Sequence, residues 1–323
     1  MEFFSGNKVY DFMGKSKIFA AISSFLIILS LFTILTKGFN WGIDFKGGIE
    51  IQVRFEKPVD IAEVRKYIGK KFKGANITTF GEPNEILIRL NVEQVSGDVQ
   101  KSLGEEIRKL LSPLGEVEIR RVDIVGAKVG NELKEKGLKA LIFAVIGILI
   151  YVSFRFEWKF ALASVLALVH DTIISLGAVS AFNIEVNLDV LAAILTLMGY
   201  SLNDTIVVFD RIREEVRETK IKDLATLINI AISKTLSRTV LTSLTTFFVV
   251  LTLFLFGGEI IKPFSFTLLV GIIVGTYSSI FIASPLLIWL GFNIDEYRKK
   301  LAEKEKRKKE KEKMRQIYQG GVV

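Results

Sequence analysis

Few residues in this sequence could do chemistry, and most of them lie where charge is costly. His170-Asp171 sits near the middle of one apolar run, and Asn203-Asp204 lies inside another. Arg238 opens a third, with Thr242 one turn further on. A charge at the centre of a bilayer costs at least about 2.5–3.5 kcal/mol. Residues that persist there hold a partner or handle an ion. Asp204 is roughly one to two helical turns in from the boundary that Arg211 marks, and Arg238 stands at that same boundary. An Asp and an Arg at similar depth on successive spans can neutralise each other. Drawing them apart favours uptake of a proton by the carboxyl, and closing them favours its release. The same two residues could instead form a static ion pair that holds helices together. His170-Asp171 carries the same ambiguity, as part of a path or as a polar pair bonded across a helix contact. Thr242, Ser243, Thr245 and Thr246 suit close helix packing.

The apolar runs position these residues. The chain has 323 residues, 50% of them hydrophobic and 24% charged, so the two kinds must be segregated. Ile18–Thr36 contains no charge and is long enough to cross a bilayer. No good cleavage site follows it, so it reads as a retained span rather than a signal peptide. Five more runs follow, at about Ala140–Phe156, Phe160–Phe182, Leu188–Phe209, Thr239–Phe256 and Phe264–Gly291. The expected architecture is an α-helical polytopic membrane protein with six transmembrane helices and a folded insert. Its divisions are an N-terminal segment 1–17, a first span 18–36, an insert 37–139, a five-helix region 140–291 and a basic tail 292–323.

Composition excludes several chemistries. With no cysteine there is no disulfide, thiolate metal site or thiol nucleophile. A single histidine makes a histidine-rich metal site or a Ser-His-Asp triad a poor fit. No phosphate loop or nucleophile–base pair is visible, so neither enzyme nor cofactor is expected. The net charge of +8 is a topology signal. Lys8, Lys15 and Lys17, the Arg211–Arg238 connection and the 298–315 tail all fall on one side of a six-span chain. The positive-inside rule makes that side cytoplasmic, with both termini there and residues 37–139 outside. An anionic membrane surface or a ribosome suits the tail better than nucleic acid does.

Within the insert, Gly48–Phe55 alternates apolar and polar residues and predicts a strand. Val59–Phe72 has helical spacing, with Asp60 near its start. Asn76–Gly81 and Asn84–Leu90 read as strands split by a turn at Glu82-Pro83. Gly97–Pro113 reads as a second helix and Glu116–Gly126 as a last strand. This β-α-β-β-α-β order is the ferredoxin-like motif, an α+β unit that hosts many functions. Val125–Leu141 reads as an amphipathic connector near the membrane surface.

Several motifs in order resemble the SecD/SecF family. They are "WGIDFKGGIEI" (Trp41–Ile51), "VGAKVGNEL" (Val125–Leu133), "LVHDTIISLG" (Leu168–Gly177), "MGYSLNDTIVVFDRIRE" (Met198–Glu215) and "SRTVLTSLTT" (Ser237–Thr246). The resemblance covers nearly the whole chain. Ala127 departs from it, standing where proline is expected. The resemblance implies an accessory of the Sec translocon in the bacterial inner membrane. It would use the proton gradient to promote late export and release of unfolded chains. Implied partners are SecD, the SecYEG channel, the SecA motor, YajC and YidC, besides membrane lipid. The resemblance also places Asp204 and Arg238 on the proton path. Asn203 and Asp171 then support them, with His170 and Thr242 as further intramembrane polar groups. Asp44, Phe45, Gly47 and Gly48 form the domain-entry motif, read as a tight turn that seats the domain on the membrane. Proton-linked movement would pass to the domain through Gly126–Gly137. Two other readings stay open, a small-molecule/proton antiporter of the same resistance-nodulation-division superfamily and an uncoupled translocon scaffold.

Overall fold

The computed structural model describes residues 8–90 and 99–320. A 3₁₀ turn at Met13–Lys15 leads into α1 (Ser16–Lys37), which ends at Gly38 with φ +69°. Next come β1 (Asn40–Trp41), α2 (Ile43–Lys46), β2 (Gly48–Phe55), α3 (Ile61–Gly69), β3 (Asn76–Phe80) and β4 (Glu82–Leu90). Then follow α4 (Val99–Leu111), β5 (Val117–Val125), α5 (Ala127–Arg155), α6 (Trp158–Ala181) and β6 (Glu185–Val186). The remaining helices are α7 (Leu188–Glu218), α8 (Leu224–Phe256), α9 (Lys262–Ser278), α10 (Ser284–Trp289) and α11 (Ile294–Gly320). A five-residue π segment, Ser279–Ala283, joins α9 to α10.

Six helical stretches are long and apolar enough to span a membrane, the sixth running from Lys262 through the π segment to Trp289. They form two classes. α6, α7 and the sixth span are half buried or more, whereas α1, α5 and α8 are buried over less than a fifth of their apolar windows. The inner three meet through small residues. A Cβ on Gly271 would lie 2.4 Å from Leu197, and one on Gly275 would lie 3.0 Å from Ser201. α1 reaches α6 the same way, since a Cβ on Gly177 would collide with Ser30. Lipid is as apolar as leucine, so close backbone packing stands in for the hydrophobic effect here.

The insert is a four-stranded antiparallel sheet in the order β3-β4-β2-β5. Ile49, Ile51, Val53 and Phe55 alternate inward along β2 and join Ile86 and Ile88 of β4. Val64 and Ile68 of α3 and Leu103, Ile107 and Leu111 of α4 cover that face. Asp60 caps α3 by accepting a hydrogen bond from the Ala62 amide at 2.8 Å. The expected alternation and helical spacing thus produce the ferredoxin-like topology.

Three local expectations need correction. The β3–β4 turn falls at Gly81, with φ +72°, and not at Glu82-Pro83. Pro83 is carried inside β4 at a register shift, where a lost amide donor is tolerated. Pro113 does not directly end a long helix, because α4 stops at Leu111 and a 3₁₀ turn at Ser112–Leu114 follows. Gly97 and Asp98, expected in that helix, lie outside the described residues, as do residues 1–7 and 321–323. The stretch after Gly126 is no separate surface helix. It is the first part of α5, continuous with the second span. The entry motif consists of one helical turn, α2 (Ile43–Lys46), followed by Gly47 and Gly48, both with positive φ.

Candidate functional site

Asp204 and Asp171 anchor two separate polar centres inside the bundle. In the first, α7 buries Asp204 to 2% exposure and α8 presents Ser243, whose Oγ donates to Asp204 Oδ2 at 3.1 Å. Thr239, one turn before Ser243 on the same buried face, has a hydroxyl without a partner. Arg238 is exposed on the outer face of α8, and no Asp204–Arg238 ion pair forms among the described residues. Asn203 is likewise exposed, because one residue along a helix turns a side chain by about 100°. Thr242 also faces outward, and its hydroxyl bonds back to the Arg238 and Thr239 carbonyls of its own helix. The static ion pair allowed by residue type is therefore not present. Ser243, not Thr242, is the hydroxyl at the carboxylate.

The second centre ties four helices together. Asp171 of α6 is 1% exposed. Its Oδ2 accepts from Ser201 Oγ of α7 at 2.5 Å and from Ser278 Oγ of α9 at 2.9 Å. Its Oδ1 lies 2.8 Å from His170 Nδ1. His170 Nε2 is 3.0 Å from the Tyr277 hydroxyl, which is 2.5 Å from Ser23 Oγ of α1. The π segment begins directly after Ser278, and Ser284 Oγ bonds the Ser279 carbonyl within it. Such segments widen one helical turn and often lie beside functional groups. Ser201, Ser278, Tyr277 and Ser23 are all uncharged, so a search for charge inside apolar runs passes over them. Their spacing from Asp204 and His170 along the chain carries no signal either, because tertiary packing brings them in.

The entry motif is a joint. Phe45 packs with Val179 near the end of α6, Val186 of β6 and Val190 near the start of α7. Asp44 Oδ2 accepts from the Leu188 amide at 2.9 Å, at the start of α7. A Cβ on Gly47, whose φ is +74°, would lie 2.6 Å from Ala127 Cα. One on Gly130 would lie 2.8 Å from the Gly47 amide nitrogen. Glycine pairs therefore let the start of α5 rest on the motif's backbone. Ala127 is the first residue of α5, a position that accepts proline equally well.

Two further ties hold the insert to the bundle. β1 pairs in parallel with β6, Asn40 with Glu185 and Trp41 with Val186. Arg89 of the sheet bonds Glu50 through Nε at 2.7 Å and also pairs with Glu185. Burial pushes the Glu185 carboxyl above the ordinary range, against the pull of Arg89. On the far side of the membrane, buried Glu215 takes Lys234 at 2.5 Å and Arg211 at 2.8 Å. Arg298 of α11 donates to the carbonyls of Val216, Thr219 and Ile221 at the end of α7.

Fold and site together define an α-helical polytopic membrane protein with an inserted ferredoxin-like domain and carboxylates buried in its bundle. Residues 106–293 match the family described as "Protein export membrane protein SecD/SecF, C-terminal", and residues 32–59 match "SecD/SecF GG Motif". The chain belongs to the SecF family of protein translocase subunits. It is 49% identical to a protein translocase subunit SecF of Helicobacter pylori over 325 residues, covering 100% of both chains. It is 50% identical to that of Calditerrivibrio nitroreducens, with 89% of this chain and 96% of the relative covered. The crystal structure of SecDF from Thermus, a translocon-associated membrane protein, superposes with a TM-score of 0.79 at 36% identity. That match covers 89% of this chain and 39% of the Thermus chain.

Proposed function

We propose that this subunit couples proton movement to the late stage of protein export. The observation that carries the reading is Asp204, a carboxylate buried in a membrane span with one hydroxyl donor and no ion pair. The ionised form of such a group is costly, so its carboxyl favours holding a proton while the opposing charge is away. Asp204 takes up and releases the proton. Arg238 supplies the opposing charge when the open face of α8 closes. Asn203 is exposed on α7, one residue before Asp204, and Asp171 braces α6, α7 and α9. The partner that closes this face is a SecD subunit, in keeping with the single SecDF chain of Thermus, of which this chain matches under half. The SecYEG channel, SecA, YajC and YidC complete the assembly, and the substrate is an unfolded exported chain. The membrane is the bacterial inner membrane, with both termini cytoplasmic and the ferredoxin-like domain outside. Movement of α7 reaches the domain through the Asp44–Gly47 joint and α5.

The test is Asp204→Asn, assembled with SecD and the Sec channel in membrane vesicles. Co-purification checks assembly, and release of an exported chain is followed with and without a proton gradient. We expect an assembled complex whose release no longer responds to the gradient. Gradient-dependent release that survives in the variant makes Asp204 structural and leaves the uncoupled scaffold as the better reading.

A further inference from the structure

We infer that His170 and Asp171 form a second proton-binding site, separate from Asp204, in which the imidazole Nε2 carries the exchangeable proton. The hydrogen-bond arithmetic leads there. Asp171 Oδ2 receives two serine hydroxyls, from Ser201 and Ser278, which suits an ionised acceptor. Its Oδ1 then accepts from His170 Nδ1–H at 2.8 Å, which fixes that nitrogen as a donor. Nε2 is left facing the Tyr277 hydroxyl, and Tyr277 faces Ser23. Hydroxyls both donate and accept, so this arm can run in either direction.

Without the extra proton, Ser23 donates to Tyr277 and Tyr277 donates to Nε2. When a proton adds to Nε2, the ring N–H donates to the tyrosine oxygen. Tyr277 turns its own hydrogen to Ser23, and Ser23 turns its hydrogen aside. The Nε2–Tyr277 and Tyr277–Ser23 contacts survive in both states, and the dyad passes from one negative charge to none. An unpartnered buried polar group is costly, so a site that stays bonded in both states can load and unload without that penalty. Among the described residues no other charged side chain bonds to the dyad. α1 contributes Ser23, α7 contributes Ser201, and α9 contributes Tyr277 and Ser278. Asp204 is one turn beyond Ser201 on α7 and is bonded to Ser243 of α8.

The sequence makes the test clean, since His170 is the chain's single histidine. The full chain, labelled with ¹⁵N-histidine and placed in lipid bilayers, gives two ring nitrogens to follow by solid-state NMR. Across a pH series, Nδ1 is expected to stay protonated while Nε2 alone changes form. Tyr277→Phe removes the partner of Nε2 and should shift its transition midpoint, with Nδ1 unmoved. Ser23→Ala, one bond further away, should shift it less. Asp204→Asn should leave both nitrogens unchanged, which separates this site from the Asp204 reading. A ring that keeps one form throughout, a bare Nδ1, or an Nε2 transition indifferent to Tyr277 overturns the assignment.

Discussion

At the scale of single residues, the structure separates side chains that neighbour one another in sequence. Ser243 and Thr242 are adjacent, yet one bonds Asp204 and the other bonds its own helix. Ser243→Ala should therefore remove the one hydrogen bond to a buried carboxylate, an interaction of about 1.5–3 kcal/mol. We expect gradient-dependent release to fall several-fold in vesicles, with gradient-independent release preserved. Thr242→Ala should change neither, because its hydroxyl bonds only backbone carbonyls on an exposed face. Equal losses from both variants would remove the special status of Ser243. Asp204 and the His170-Asp171 pair were legible in the sequence because charge inside an apolar run announces itself. The hydroxyls that complete both centres were not, since serine and threonine are ordinary packing residues in membrane helices.

At the scale of elements, the joint between α2 and α5 depends on the absence of side chains. Gly130 faces the Gly47 amide, so Gly130→Val would press a side chain into backbone that cannot rotate away. Overpacking of this kind costs about 1–3 kcal/mol. The variant should melt at lower temperature, and protease should cut more readily near residues 42–48. Gly147→Ala, on the same helix with open space around it, should be neutral or slightly stabilising, consistent with alanine's higher helix propensity. A Gly130→Val protein as stable as its parent would show that the close approach is not required. The alternation of β2 and the spacing of α3 could be read directly, because each periodicity maps onto one buried face. The continuity of α5 could not. The charged residues of Lys128–Lys139 suggested a surface connector, but no helix breaker separates them from the span.

The whole molecule is a domain fastened to a bundle, and the fastening includes a titratable group. Burial holds the Glu185 carboxyl above its ordinary pKa of about 4.3. The folded state therefore binds this proton more tightly than the unfolded chain does. By linkage, stability falls as pH rises from the ordinary glutamate range through the elevated one, and acid relieves the cost of burying the charge. The same acid weakens the ion pair with Arg89 that links sheet to loop. Glu185→Gln should abolish this part of the pH dependence. Its melting temperature should vary less than the parent's between about pH 4 and about pH 7, a range around the ordinary glutamate value. An unchanged profile would mean that Glu185 does not titrate with folding.

The sequence by itself determined the number of spans, the ferredoxin-like order of the insert and which carboxylates lie inside apolar runs. Each rests on a local rule, whether a run long enough to cross a bilayer, a period of two or 3.6, or a charge where charge is expensive. Tertiary structure alone decided which helices are inner and which are outer. It also decided that Arg238 stands open while Asp204 is enclosed, and that Ser23 and Tyr277 extend the His170 site across to α1. Those facts depend on rotation about each helix axis and on small residues that admit a neighbour. Rotation is set by packing against other helices, and no stretch of one chain encodes it alone.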